Sequence, residues 1–264
     1  MPSPDPLFID LHSHLAPGVD DGAATPAEAL EALRALRAEG VRSLVTTPHL
    51  VLPHLDTTAA IDRVLDWHRA GFDALLEAAA GADDVPELGL GQEIWAPDAA
   101  TMRRALGRPG LGLAGTRFLL VEFGFDLTGS HDDVVEAVLE AGWRIVIAHP
   151  ERYEYAPGFD PLETAAGWRA LGALLQINAG SLTGHYLDSR PASRSLAWRL
   201  VEQGLADLIA TDHHGSRRAG VSPREAYDAL VAAGRAREAR RLMAENPARV
   251  LRGWVPCVTA RRAG

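Results

Sequence analysis

His12 and His14 stand two residues apart directly after a short apolar run. On an extended segment that spacing turns both imidazoles to one face, where they can grip one ion. Alone the pair is weak evidence, since many such pairs are surface or core histidines, but the pattern repeats along the chain. Later apolar runs end in His49, Glu93, Glu122, His149, Asn178 and the Asp212-His213-His214 triplet. Every run delivers a polar residue at its end, and all but the Asn178 run deliver a type that binds divalent metals. A carboxylate at the end of an apolar run is costly to bury unpaired, and a cation neutralises it. The ordinary alternative for Glu93 and Glu122 is an arginine ion pair. For His49 and His149 it is a hydrogen-bonded core histidine, which suits either one alone but not the set. About five histidines and four carboxylates over-supply a single ion, because most sites take four to six ligands. Two or three ions sharing bridging carboxylates solve that problem, with Mn²⁺, Fe²⁺ or Zn²⁺ equally suited to mixed imidazole and carboxylate donors. Such a cluster lowers the pKa of a bridging water and clamps the oxygens of an in-line phosphoryl displacement.

The elements that must position these residues alternate regularly. Strand-like runs cover 7–12, 43–49, 87–93, 118–123, 144–149, 173–178 and 207–212. Between them lie amphipathic segments at 57–80, 97–106, 132–141, 162–171, 193–203, 223–233 and 235–245. Thr25-Pro26-Ala27-Glu28 predicts a helix start, with an N-cap, a proline in the first turn and a capping-box glutamate; Gly40 is its stop. Strand-then-helix repetition implies parallel strands with right-handed crossovers. Seven such units without a long linker predict a barrel or near-barrel in one domain. In such a barrel the C-terminal strand ends converge on the face where active sites lie.

Composition narrows the chemistry. The chain has 264 residues, a size at which one α/β barrel fits, and a formal net charge of −9. That balance argues against nucleic acid or an anionic membrane as the main partner. All 26 basic residues are arginine, so Schiff-base lysines and the P-loop lysine are excluded. Cys257 stands alone, which excludes an intrachain disulfide and a cysteine-rich zinc site. The position that would complete a C-x5-R phosphate loop from it is Ala263, so thiolate phosphatase chemistry is not expected. No signal peptide and no membrane-spanning run is visible, and the cytoplasm is the expected compartment.

Phe8-Ile9-Asp10-Leu11-His12-Ser13-His14 followed by Val19-Asp20-Asp21-Gly22 resembles the N-terminal motif of the PHP (polymerase and histidinol phosphatase) superfamily. Within it the chain is most similar to the bacterial manganese-dependent protein-tyrosine phosphatases of capsule and exopolysaccharide operons, the CpsB/YwqE type. Thr46-Thr47-Pro48-His49, Gly91-Gln92-Glu93-Ile94, Val121-Glu122-Phe123, His149-Pro150-Glu151-Arg152-Tyr153, Gln176-Ile177-Asn178 and Thr211-Asp212-His213-His214 agree in order and spacing, over about 9–251. The Val-Asp-Asp-Gly and His-Pro-Glu-Arg-Tyr signatures are specific to this branch.

The resemblance implies a distorted (β/α)7, TIM-like barrel of the PHP type, a phosphatase domain over 1–252 and a tail over 253–264. It implies three metals: one on His12, His14, Glu93 and Asp212; a second sharing Glu93 and completed by Glu122 and His149; a third on Asp21, His49 and His214. Asp20 is the neighbouring alternative to Asp21. Arg152 matches the family's phosphate-binding arginine, the alternative being a partner for Glu151 or Glu154. The family's second arginine falls here on Ala219, which leaves Arg217 or Arg218 for that role. Asn178 is expected to lie behind the ligands or to face substrate. The implied activity is hydrolysis of phosphotyrosine in a protein, the tail of a bacterial tyrosine kinase, by attack of a metal-bound hydroxide. Alternatives are a small-molecule PHP phosphatase such as a histidinol-phosphate phosphatase, a non-catalytic metal-stabilised PHP module and, more distantly, an amide or deacetylation hydrolase. Asp212-His213-His214 also spells the motif of the DHH phosphoesterases, whose other aspartate motifs are missing around it. The dinuclear amidohydrolases share the H-x-H but bridge their metals through a carbamylated lysine, which this chain lacks.

Overall fold

The computed structural model describes residues 7–186, 189–217 and 221–256, with the Arg217 side chain excepted. The strands are β1 (Phe8–Asp10), β2 (Val41–Thr46), β3 (His49–Val51), β4 (Glu87–Leu90), β5 (Glu93–Trp95), β6 (Phe118–Glu122), β7 (Asp126–Leu127), β8 (Arg144–Ala148), β9 (Glu154–Tyr155), β10 (Leu174–Asn178) and β11 (Leu208–Ala210). The helices are α1 (Pro26–Ala38), α2 (Thr58–Ala78), α3 (Ala99–Ala105), α4 (Asp132–Glu140), α5 (Pro161–Leu171), α6 (Ala179–Thr183), α7 (Ser193–Glu202), α8 (Pro223–Ala232), α9 (Ala236–Arg240) and α10 (Asn246–Leu251).

All strand pairs are parallel, in the orders β1-β2-β4 and β11-β10-β8-β6-β5-β3, with β7-β9 as a separate two-stranded sheet. The two larger sheets are one ring. β2 and β3 are halves of a strand interrupted at Thr47-Pro48, because Pro48 has no N–H to give the ladder. β4 and β5 are halves of the next strand, interrupted at Gly91-Gln92. There the chain passes so close to Leu113 that a Cβ on Gly91 would lie 2.9 Å from its Cδ2. Gly91 N–H to Thr46 O (2.9 Å) and Glu93 N–H to Pro48 O (3.2 Å) carry the pairing across both breaks. On the other side Asp212 N–H bonds His12 O (2.9 Å) and His14 N–H bonds His213 O (2.8 Å), beside a parallel bridge between Ser13 and His213. The result is a closed barrel of seven strands, in keeping with the distorted barrel that the resemblance implies; the breaks in two of its strands are not among the sequence expectations.

Side-chain alternation builds two layers inside it. Phe118, Leu120, Val146, Leu174 and Leu208 fill the barrel, while Leu119, Val121, Ile145, Ile147, Leu175 and Ile177 face the helices. Continuing the inward register toward the strand ends places Glu122, Gln176 and Asn178 above that apolar floor. The predicted capping of α1 holds, with Thr25 Oγ1 accepting from Glu28 N–H (3.2 Å). Glu28 itself reaches one residue further back, to Ala24 N–H (2.8 Å), and takes Ser216 N–H on its other oxygen (3.0 Å). It therefore ties α1 to the loop that follows His214. The segment predicted as a helix over 235–245 is α9 followed by a π-helical turn (Arg241–Glu245) that runs into α10.

Ring closure has a side-chain lock. Asp10, buried at the end of β1, accepts from the Thr211 N–H (3.0 Å) and hydroxyl and from His12 N–H (3.3 Å). Replacing it with alanine leaves a buried N–H without a partner, which costs ~1–3 kcal/mol. Asp10→Ala is expected to lower unfolding stability by that amount in urea denaturation; an unchanged midpoint and slope would refute the lock.

Candidate metal centre

The mouth of the barrel gathers the nine sequence-predicted ligands. His12, His14, Glu93, Glu122, His149, Asp212 and His214 are buried there, while His49 and Asp21 lie at the rim. Four overlapping groups bring ligand atoms close together: His14-Asp21-His49-His214, His12-His149-Asp212, His12-His14-Glu93 and His49-Glu93-Glu122. Between Asp20 and Asp21, it is Asp21 that joins them, with Oδ1 3.4 Å from His49 Nε2 and 3.4 Å from His214 Nε2.

Three kinds of local structure aim these groups. The first is the Val19-Asp20-Asp21-Gly22 turn, which folds against His14: Ala23 N–H bonds His14 O (2.9 Å). A Cβ on Gly22 would sit 1.9 Å from that same carbonyl oxygen, so only glycine fits there. Asp20 in this turn accepts from the His14 ring (2.8 Å) and from Gly22 N–H (2.9 Å). Burial works against its charge, but those partners outweigh it and lower its pKa to about 2. The second is a left-handed backbone at two ligands, His149 (φ 34) and Asp212 (φ 54). Strand alternation would send His149 outward with Ile145 and Ile147; the left-handed turn brings its ring inward instead, with Nε2 2.8 Å from Glu93 Oε1. The third is a polar chain behind the ligands. His12 Nδ1 donates to Gln176 Oε1 (2.8 Å), Gln176 Nε2 donates to Asn178 Oδ1 (2.8 Å), and Asn178 Nδ2 donates to Asp212 Oδ2 (2.8 Å).

Those outer partners determine what the inner atoms present. His12 and His14 each use the Nδ1 proton on an acceptor, Gln176 and Asp20, which in the neutral rings leaves both Nε2 atoms as lone pairs. Yet the two Nε2 atoms face each other at 3.2 Å. Around them, Glu93 Oε2 lies 3.3 Å from each Nε2 and 2.9 Å from His49 Nδ1, and it makes a well-directed hydrogen bond to none of them. Asp212 Oδ1 lies 3.3 and 3.1 Å from the same two Nε2 atoms. His149 Nδ1 is buried with no partner. Donors aimed at common points rather than at one another fit divalent cations, and the mixture of imidazoles and carboxylates fits the borderline metals.

Arg152, in the 3-10 turn Pro150–Arg152 after β8, is buried beside this cluster. Its Nη1 donates to Asp212 Oδ2 at 2.5 Å, and its guanidinium lies 4.4 Å from the Tyr186 ring centre and 5.1 Å from that of Phe125. The alternative partners are engaged elsewhere: Glu151 accepts from Ser181 Oγ and Asn178 N–H, and Glu154 pairs with Arg190. Asn178 is fully buried and bonded to Asp212, Gln176 and Tyr186. Arg217 is placed by its backbone alone in the 3-10 turn after His214, and Arg218 lies outside the described residues. Gln176, Tyr186 and Phe125 carry no chemical signal in the sequence, although Gln176 stands at a strand end like the ligands.

A family model described as capsular polysaccharide synthesis, CpsB/CapC, matches residues 8–252. The chain belongs to the CpsB/CapC family. The tyrosine-protein phosphatase YwqE of Bacillus subtilis is 30% identical to this CpsB/CapC chain over 226 residues, 84% of each. The tyrosine-protein phosphatase CpsB of Streptococcus pneumoniae is 25% identical over 254 residues, 92% of this chain and 98% of that one. A solved structure from work on these two proteins, described as unique metal-dependent tyrosine phosphatases, superposes with a TM-score of 0.72 at 25% identity. It covers 96% of this chain and all of the other. N-isopropylammelide isopropylaminohydrolase of Burkholderia multivorans shares the fold alone, with a TM-score of 0.53 at 15% identity over 97% of this chain and 78% of that one.

His49 and Glu122 are among the groups whose protons a cation must displace. Burial opposes charge on His49, but Glu93 beside it prevails and raises its pKa to about 10. Burial, reinforced by the Glu93 carboxylate, raises Glu122 to about 8. Both are protonated in the metal-free protein at pH 7 and must lose that proton to ligate. Divalent-cation uptake is therefore expected to release protons and to strengthen as pH rises from 6 to 8. Calorimetric titration in buffers of different ionisation enthalpy measures this; uptake independent of buffer and pH would contradict it.

Proposed function

We propose that this chain is a metal-dependent phosphomonoesterase that removes phosphate from phosphotyrosine in proteins, in the service of capsule or exopolysaccharide synthesis. The observation that carries the reading is the pair of His12 and His14 Nε2 atoms facing each other at 3.2 Å between the Glu93 and Asp212 carboxylates, with a buried arginine alongside. The names of the relatives supply the substrate class. No residue set among the described residues favours the histidinol-phosphate, non-catalytic or amide-hydrolase readings.

In this proposal His12, His14, Glu93 and Asp212 hold one divalent ion. Glu93, Glu122 and His149 would hold a second ion, and Asp21, His49 and His214 a third. Mn²⁺ is our choice, with Fe²⁺ and Zn²⁺ as chemically equivalent occupants. Bound cations supply the Lewis acidity that lowers the pKa of water and offsets phosphoryl charge. The protein's own groups do the rest. Arg152 offers a planar fork to two phosphate oxygens, with its guanidinium packed over the rings of Tyr186 and Phe125. Gln176 fixes the His12 tautomer, and Asn178 orients Asp212. We assign the second phosphate contact to Arg217 or Arg218. The tail of a bacterial tyrosine kinase is the proposed substrate, and the cytoplasm, where ATP-dependent phosphorylation takes place, the proposed location. No described helix is long and apolar enough to cross a membrane. Residues 1–252 form the proposed catalytic unit and 253–264 its tail, in keeping with the family match over 8–252.

Hydrolysis of p-nitrophenyl phosphate with Mn²⁺ tests the reaction. Chelation is expected to abolish it, and Glu93→Gln to lower kcat by at least ~100-fold, whereas Cys257→Ser is expected to leave it unchanged. Turnover that survives complete metal removal would overturn the proposal. A higher kcat/KM for histidinol phosphate than for a phosphotyrosyl peptide would move it to the small-molecule branch.

A further inference from the structure

Phe125 is a large apolar side chain left 39% exposed beside the cluster, three residues beyond Glu122. Isolated exposed phenylalanines are common, but this one is mounted rigidly. Its carbonyl accepts Glu154 N–H at 2.7 Å, at the start of the small β7–β9 sheet that joins the loops after β6 and β8. The preceding Gly124 (φ 84) makes the turn that brings the ring over the mouth. A Cβ there would meet Trp95 Nε1 at 2.9 Å, so the turn needs glycine twice over. The ring itself lies 6.2 Å from the His149 ring, within 25° of parallel. The Arg152 guanidinium is 5.1 Å from its centre and the Arg190 guanidinium 4.5 Å.

We propose that Phe125 is the platform for the aryl ring of the substrate, and hence the residue that selects aryl over alkyl phosphomonoesters. The inference rests on the phosphatase reading above and adds the group that recognises the alcohol side of the ester. In an aryl ester a single bridging oxygen separates phosphorus from the ring. A phosphate held by Arg152 next to His149 therefore puts that ring beside Phe125, the aromatic side chain that flanks both residues. Two aromatic rings attract in offset or edge-on arrangements beyond the area they bury, and an alkyl group forfeits that gain. Arg190 supports the platform from its outer side, stacked on the Phe125 ring and paired with the exposed Glu154. Two cations against one ring also hold it in place through its quadrupole.

The readout is the ratio of kcat/KM for phenyl phosphate to that for ethyl phosphate, compared between variants so that intrinsic leaving-group reactivity cancels. Phe125→Leu and Phe125→Ala are expected to lower this ratio by about 3- to 10-fold, and Phe125→Tyr to restore it. A Phe125 that merely props Arg152 would slow both esters in parallel and leave the ratio intact; that result overturns the proposal. A second arm needs no turnover: calorimetry on the Mn²⁺-loaded protein with phenylphosphonate and methylphosphonate. Wild type is expected to bind the phenyl compound more tightly, and Phe125→Leu to lose the preference. Equal affinity, or no binding, in wild type overturns the platform. Binding preference without hydrolysis of either ester would instead overturn the phosphatase reading and leave the aryl platform standing.

Discussion

The site depends on where the ring of strands is closed. Main-chain bonds between the segments after β1 and β11 bring His12 and His14 alongside Asp212, groups some two hundred residues apart in sequence. Loop closure over that distance is entropically unfavourable, and the chain locks the seam with the buried Asp10–Thr211 contact. Neighbouring strands then need only their ordinary pairing to deliver Glu93 and Glu122 to the same mouth, and a left-handed turn after β8 adds His149. Placement of the donors is thus largely a property of the sheet. The loops add Asp21 and Arg152, the two groups at its margins.

Closure alone would crowd like atoms together, and the arrangement of outer partners explains why the crowding is tolerated. The Nδ1 atoms of His12, His14 and His214 are turned away from the centre, to Gln176, Asp20 and the Asp212 carbonyl, while His149 points its Nε2 inward, to Glu93 Oε1. In neutral rings the inner Nε2 atoms of His12 and His14 are acceptors facing each other and facing carboxylate oxygens, and only positive charge there, a proton or a cation, relieves them. This logic separates the cluster from a set of ordinary buried ion pairs, in which each carboxylate finds a hydrogen-bond donor of its own. Glu93 Oε2 has close neighbours and no such donor.

The barrel and eight of the nine ligand candidates are legible in the sequence, because apolar runs of strand length that stop at His, Asp or Glu are visible without coordinates; Asp21, in a turn, is marked only by the resemblance of its Val-Asp-Asp-Gly motif. Period-two patterning also shows why Glu122 and Asn178 face inward with Leu120 and Leu174. It misleads at His149, where strict alternation points outward and only the left-handed backbone reverses it. The strand breaks at Thr47-Pro48 and Gly91-Gln92 depend on contacts with distant residues, so the runs read as unbroken. The β7–β9 pair, two residues a side, is too short to carry a period. Gln176 and Phe125 are silent in the sequence for a different reason: their types signal neither ligation nor catalysis, and their surroundings alone give them a part in the site.

The left-handed conformation at His149 carries an evolutionary consequence. Glycine would adopt that backbone without steric penalty, whereas a side chain there is strained. A fold drifting under selection for robustness alone would shed the imidazole at this position. The peptide geometry and the side chain at His149 therefore make opposing demands, and the barrel holds a strained backbone directly beside the ligand cluster.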